Sequence, residues 1–313
     1  MTQLEQFQQS RFGRALIGAI PALFLLLLFV LPFVMLVRIS LTDQMVSGSP
    51  FAPLWVEQSG AMTINVQWRT YAQIFGAYDQ DGVWSMGWTP FLSAYANSVG
   101  YAALTCALCI AIGYPFAYWM TTLGTVGRTS ALCAVMLPFW TSFVMRVSAW
   151  RSLLSDQGYL NQWAQALGAD GPFQMMYTQG AVVLGMVYVY LPFAVLPLYA
   201  TLRALDKRHR EAAADLGATP WTTFWLVTVP QTRRAIGSAC ALVFIPALGE
   251  FVIPAVLGGS QTPLIGRLIW EQMFSANNWA QAAALAVLMI VTALGALQLI
   301  FKLTQGDNKE AAR

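Results

Sequence analysis

The sequence predicts an all-α integral membrane protein with six transmembrane helices. Apolar residues make up 57% of the chain and charged residues only 10%, against about 25% charged in soluble domains. Charge-poor apolar runs of bilayer length recur along the chain. Basic residues gather on alternate connections between those runs, as the positive-inside rule requires.

Residues 1–14 read as a polar tail carrying Arg11 and Arg14. Ala15 to Val37 carries no charge; at about 1.5 Å per residue it reaches ~35 Å, enough to cross a bilayer. A signal peptide would have a shorter apolar core and a small-residue cleavage site, whereas this run ends in Arg38-Ile39-Ser40. An uncleaved first helix is expected, bent at Pro21 and Pro32. Residues 42–90 form a long outer loop with one base, Arg69, and four acids, Asp43, Glu57, Asp79 and Asp81. Its aromatics, among them Trp55, Trp68, Tyr71, Trp84 and Trp88, suit either an interfacial belt or a surface under a docked protein.

Helix 2 is expected from Tyr95 to Met120, with Pro115 near its inner end. Helix 3 should run from Ser130 to Leu154 and contain Arg146 and Arg151. Helix 4 should cover Ala181 to Leu202, with Pro192 and Pro197. Helix 5, Ile236 to Leu257, is interrupted by Pro246, Gly249-Glu250 and Pro254; helix 6 covers Gln281 to Phe301. Residues 15–302 thus read as one six-helix membrane domain, followed by a polar tail at 303–313. Twelve basic residues fall on one side, among them Arg128, Arg203, Lys207, Arg208, Arg233 and Arg234; Arg38, Arg69, Arg151 and Arg267 fall on the other. Both termini are expected in the cytoplasm.

Several function classes drop out. The net charge of +3 reflects the basic loops and does not indicate nucleic acid. Cys106, Cys109, Cys133 and Cys240 all sit in apolar spans, with no neighbouring ligands for a metal. No Gly-x-x-x-x-Gly-Lys-Ser/Thr run occurs, so the chain is not expected to bind ATP, and no nucleophile or acid–base cluster points to an enzyme.

Between helices 4 and 5 lies the cytoplasmic loop 203–234. Asp206 can cap a short helix through Ala212-Ala213-Ala214, Gly217 can close it in a left-handed cap, and Thr219-Pro220 can open another. Its small-residue face can lie close to a partner backbone. Glu211-Ala212-Ala213, then Gly217, then Val227-Thr228-Val229-Pro230 resembles the EAA signature of bacterial ABC importer permeases, which usually have Ile and Leu at the two valines. Asn97-Ser98, Thr141 to Trp150 and Gly249 to Gly259 resemble the spermidine/putrescine branch. Ile265 to Trp270 and Asn278-Trp279 look most like its putrescine member. Relatives often carry an aromatic at Val147-Ser148 and an acid at Ala255, so helix 5 keeps one carboxylate where a diamine could use two.

The resemblance implies a type I ABC importer permease in the bacterial inner membrane. Two related permease subunits would form the pore. Two ATPase subunits would hold ATP and Mg and receive the coupling helix through Glu211, Ala212, Ala213, Asp215, Leu216, Gly217 and Pro230. A periplasmic binding protein would deliver the polyamine. The same architecture could carry an amino acid or opine; a stand-alone secondary transporter or channel would not need the docking motif.

Glu250, expected ~21 Å along helix 5, must face a cavity or a partner. It could line the substrate path, or pair with Arg146, which straight-helix arithmetic places ~24 Å along helix 3 and at similar depth. Trp140, Trp150, Tyr188, Tyr190 and Phe251 could line a path for an amine through their ring faces, or simply pack.

Overall fold

The computed structural model describes residues 19, 21–42, 55–58, 61–64, 66–78, 83–168, 171–206, 208–259 and 262–305. The N-terminal tail 1–14, Lys207 and the tail beyond 305 lie outside the described residues. The chain divides into two compact units, residues 1–87 with 271–288, and residues 88–270 with 289–313.

In the first unit, α1 (Pro21–Ser40) is a membrane-length helix with a π turn at Leu26–Val30. Its most apolar stretch buries nothing, as suits a helix apolar all round and solvated by hydrocarbon. The loop that follows α1 is more structured than its composition implies. It pairs β1 (Trp55–Gln58) with β2 (Ala61–Ile64), forms α2 (Arg69–Phe75), and pairs β3 (Gly76–Tyr78) with β4 (Trp84–Met86). Ser40 Oγ meets the Tyr71 hydroxyl at 2.8 Å, and the Trp84 indole donates to the Ala72 carbonyl at 2.9 Å.

The second unit is built on three mutually packed helices: α3 (Pro90–Thr122), α7 (Gln179–Ala204) and α10 (Arg233–Leu248). Along α3 the small residues Ala102, Cys106, Cys109, Gly113 and Ala117 recur at helical spacing and are buried. Small residues let backbones approach closely, which is how helices gain packing energy in lipid. At Gly185 on α7, a Cβ would lie 2.8 Å from a Leu257 methyl and 3.0 Å from an Ile253 methyl, so a larger residue would push those side chains aside.

The six expected spans do not all appear as continuous helices. Among the described residues, α1, α3, α7 and α12 (Trp279–Gln305) are long and apolar enough to cross a membrane. Expected helix 3 splits into α4 (Thr125–Met136), a 3₁₀ turn at Leu137–Trp140, and α5 (Phe143–Leu154), which continues to α6 (Tyr159–Ala166). Its two limbs bend by 95°. Pro138 has no amide hydrogen to continue an α-helix, and Thr141 and Ser142 are extended. Expected helix 5 stops at Leu248 and resumes only beyond Phe251, ending in a π turn at Pro254–Gly258. Irregular backbone of this kind survives in a membrane protein only where protein or a wet cavity satisfies it. After α11 (Ile265–Trp270) and a π turn at Glu271–Ser275, α12 closes the described chain.

Candidate functional site

Two parts of the second unit carry the residues singled out above. The first is the loop between α7 and α10. Asp206 Oδ1 accepts from the Arg208 amide at 3.0 Å, so the aspartate caps α8 (Arg208–Asp215). Gly217 sits at φ +80°, its amide donates to the Ala214 carbonyl at 2.9 Å, and the Ala218 amide donates to Ala213 at 3.0 Å. That pair of bonds is a Schellman closure, favoured by glycine because a side chain is strained at this φ. Thr219 then accepts from the Thr222 amide at 3.2 Å and opens α9 (Pro220–Thr223). A π turn at Phe224–Thr228 leads to Val229–Gln231, with Pro230 half-buried.

Nothing on α8 is buried. Glu211, Ala212, Asp215 and Gly217 face solvent, Ala213 is half-covered, and Leu216 is 89% exposed. The helix is thus held by its own caps and by α9, and presents a bare, small-residue surface. Below it, the Tyr114 hydroxyl meets Thr232 Oγ1 at 2.7 Å, and the Tyr114 and Tyr118 rings contact Phe224 edge-on. These contacts tie the loop to α3.

The second part is the break after α10. Glu250 is 7% exposed. One carboxylate oxygen accepts from the Tyr190 hydroxyl at 2.5 Å; the other accepts from the amides of Val252 at 2.9 Å and Ile253 at 3.3 Å. The carboxylate therefore caps the resumed helix and fastens it to α7.

The Arg146–Glu250 ion pair does not form. Straight-rod arithmetic fails because the 95° bend precedes Arg146. Arg146 instead lies over the rings of Phe139 at 5.5 Å and Phe143 at 5.8 Å, and its Nε and one Nη are buried with no hydrogen-bond partner among the described residues. Rings bridge the two charged residues: Phe139 packs edge-on against Phe193 at 5.2 Å, and Phe193 lies 6.2 Å from Tyr190. Sequence reading missed Phe139 and Phe193, since nothing local distinguishes them from ordinary apolar residues.

The other aromatic candidates do not converge on one path. Trp150 and Tyr188 meet edge-on at 5.3 Å, and Phe251 stacks on Trp270 at 5.2 Å. Tyr188 and Tyr190, two residues apart on a helix, point to different faces. Trp140 is 80% exposed and joins neither pair.

Residues 15–303 match the family described as binding-protein-dependent transport system inner membrane component. The chain is 35% identical over 212 residues to the spermidine/putrescine transport system permease protein PotB of Salmonella typhimurium (strain SL1344), covering 67% of this chain and 74% of that protein. Its fold is similar to a chain in the crystal structure of a bacterial ABC transporter involved in the import of the acidic polysaccharide alginate, with a TM-score of 0.69 and 14% identity, over 98% of this chain and 100% of the other. A second such structure, of the alginate ABC transporter in complex with alginate pentasaccharide-bound periplasmic protein, gives a TM-score of 0.68 at 15% identity, over 97% of each chain.

Proposed function

The chain belongs to the family of binding-protein-dependent transport system inner membrane components, and from that premise we propose that it carries a polyamine, with putrescine favoured over spermidine. It is a non-catalytic, multi-pass permease subunit of an ABC importer in the inner membrane. The substrate reading rests on the 35% identity to the spermidine/putrescine permease.

Both termini and α8 face the cytoplasm in this reading. Two copies of an ATPase subunit bind ATP and Mg, and each takes a coupling helix of one permease subunit. Glu211, Ala212, Ala213, Asp215, Leu216 and Gly217 form this chain's contact, with Pro230 setting the return to the membrane. A second, homologous permease completes the pore, and a periplasmic binding protein brings the amine. Movement of α8 passes through its rigid closure at Gly217 into α9, and along α10. That helix spans about 24 Å at ~1.5 Å per residue and ends at the Glu250 break. A packed rod between two discrete joints is the kind of element that transmits a two-state change.

The test is uptake of labelled putrescine and spermidine into proteoliposomes containing the whole assembly, with ATP and the binding protein each present or withheld. Uptake that needs both, with putrescine preferred, is the expected result. Activity needing both but with neither amine discards the substrate and keeps the coupling. Amine uptake driven by an ion gradient without the ATPase overturns the coupling.

A further inference from the structure

A cavity of about 630 Å³ lies between the inner half of α3 and the α9 segment, within the ~300–1,000 Å³ of ordinary ligand sites. The aromatics Tyr114, Tyr118, Trp221, Phe224 and Trp225 line it, together with Ala111 and Ile236 among smaller and aliphatic residues. Among the described residues, no charged side chain lines it. Trp221 and Trp225 are at the same time broadly exposed, 71% and 50%. Indole rings half in and half out of an apolar site mark the headgroup level of a bilayer.

The charge beside it selects among lipids. Arg233 and Arg234 open α10 and are both exposed. Arg233 precedes the cavity residue Ile236 by three positions, which puts both on one face of the helix with the guanidinium one turn toward the loop. An apolar slot whose wall helix opens on two exposed arginines, Arg233 on the slot's own face, is complementary to a lipid with an anionic headgroup, as basic pockets between helices are on the cytoplasmic side of membranes. We propose that this cavity holds one acyl chain of an anionic phospholipid, with its phosphate against Arg233. The lipid fills the gap beneath α9 and steadies the segment joining α8 to α10. The site is independent of which solute is carried.

The experiment uses the full assembly in nanodiscs of phosphatidylglycerol and phosphatidylcholine, followed by native mass spectrometry of retained lipid. Phosphatidylglycerol should be retained roughly tenfold over phosphatidylcholine. The double variant Arg233→Gln, Arg234→Gln should reduce that preference to about twofold or less. Ala111→Phe puts a ring into the cavity from an exposed position and should remove the retained lipid; size-exclusion chromatography checks that the assembly is intact. In parallel, Trp225→p-benzoylphenylalanine should cross-link to lipid on illumination. Equal retention of the two lipids by the unaltered assembly, full retention by intact Ala111→Phe, or cross-linking only to an ATPase or permease subunit would each overturn the proposal. If Ala111→Phe fails to assemble, the arginine double variant and the cross-link decide it.

Discussion

Tyr190 and Glu250 meet at 2.5 Å among apolar side chains, and the carboxylate also holds two backbone amides. In hydrocarbon surroundings a polar group left unmatched is costly, so the three bonds stand or fall together. Tyr190→Phe removes one donor and should lower stability by about 1–3 kcal/mol, read as the thermal midpoint of the purified assembly. The same geometry separates capping from charge attraction. Glutamine keeps an acceptor for the Val252 and Ile253 amides, so Glu250→Gln should retain most uptake, while Glu250→Leu should lose roughly tenfold or more, the scale set by unsatisfied buried amides. Equal loss in both variants would mean that the negative charge, rather than the cap, is what transport needs. Arg146, with two nitrogens that have no hydrogen-bond partner among the described residues and with its guanidinium over the rings of Phe139 and Phe143, draws stabilisation from ring quadrupoles.

The α8–α9 joint is the element whose behaviour derives most directly from its bonds. Gly217 at φ +80° closes α8, and Thr219 opens α9 two residues later. Gly217→Ala should destabilise the joint by about 1–2 kcal/mol, the cost of a left-handed L-residue; Thr219→Ala should cost about 1 kcal/mol through the lost cap. Both should raise local hydrogen exchange in the loop. Glu211→Lys, on the exposed first turn, should leave the protein in the membrane but abolish ATP-dependent uptake; normal uptake would sink the assignment of α8 as the docking helix.

For the whole molecule, the count of crossings turns on the bent and broken segments. Four described helices are long and apolar enough to cross, and the bent pair, taken as one span, makes a fifth; α10, 16 residues long, is on its own shorter than a bilayer crossing. The basic residues predict that α8 and α6 lie on opposite sides of the membrane. His209→Cys on α8 should react with a membrane-impermeant maleimide only from the cytoplasmic side, and Tyr159→Cys on α6 only from outside. Labelling of both from one side would reverse the topology of the α4–α6 segment.

Local chemistry decided much on its own. Apolar length and basic-loop bias determined an all-α membrane protein, and the caps at Asp206, Gly217 and Thr219 were legible because each bond spans only a few residues. The interruption of helix 5 was legible too, from Gly249-Glu250 and Pro254, although not its angle; the break at Pro138 was not, since Ser130 to Leu154 reads as one continuous apolar run. Only the tertiary structure decided what faces what. A 95° bend moves Arg146 away from Glu250, and a tyrosine sixty residues away in sequence takes the carboxylate instead. Pairings of this kind depend on how bent helices pack, and a sequence records spacing along the chain rather than the direction in which a broken helix resumes.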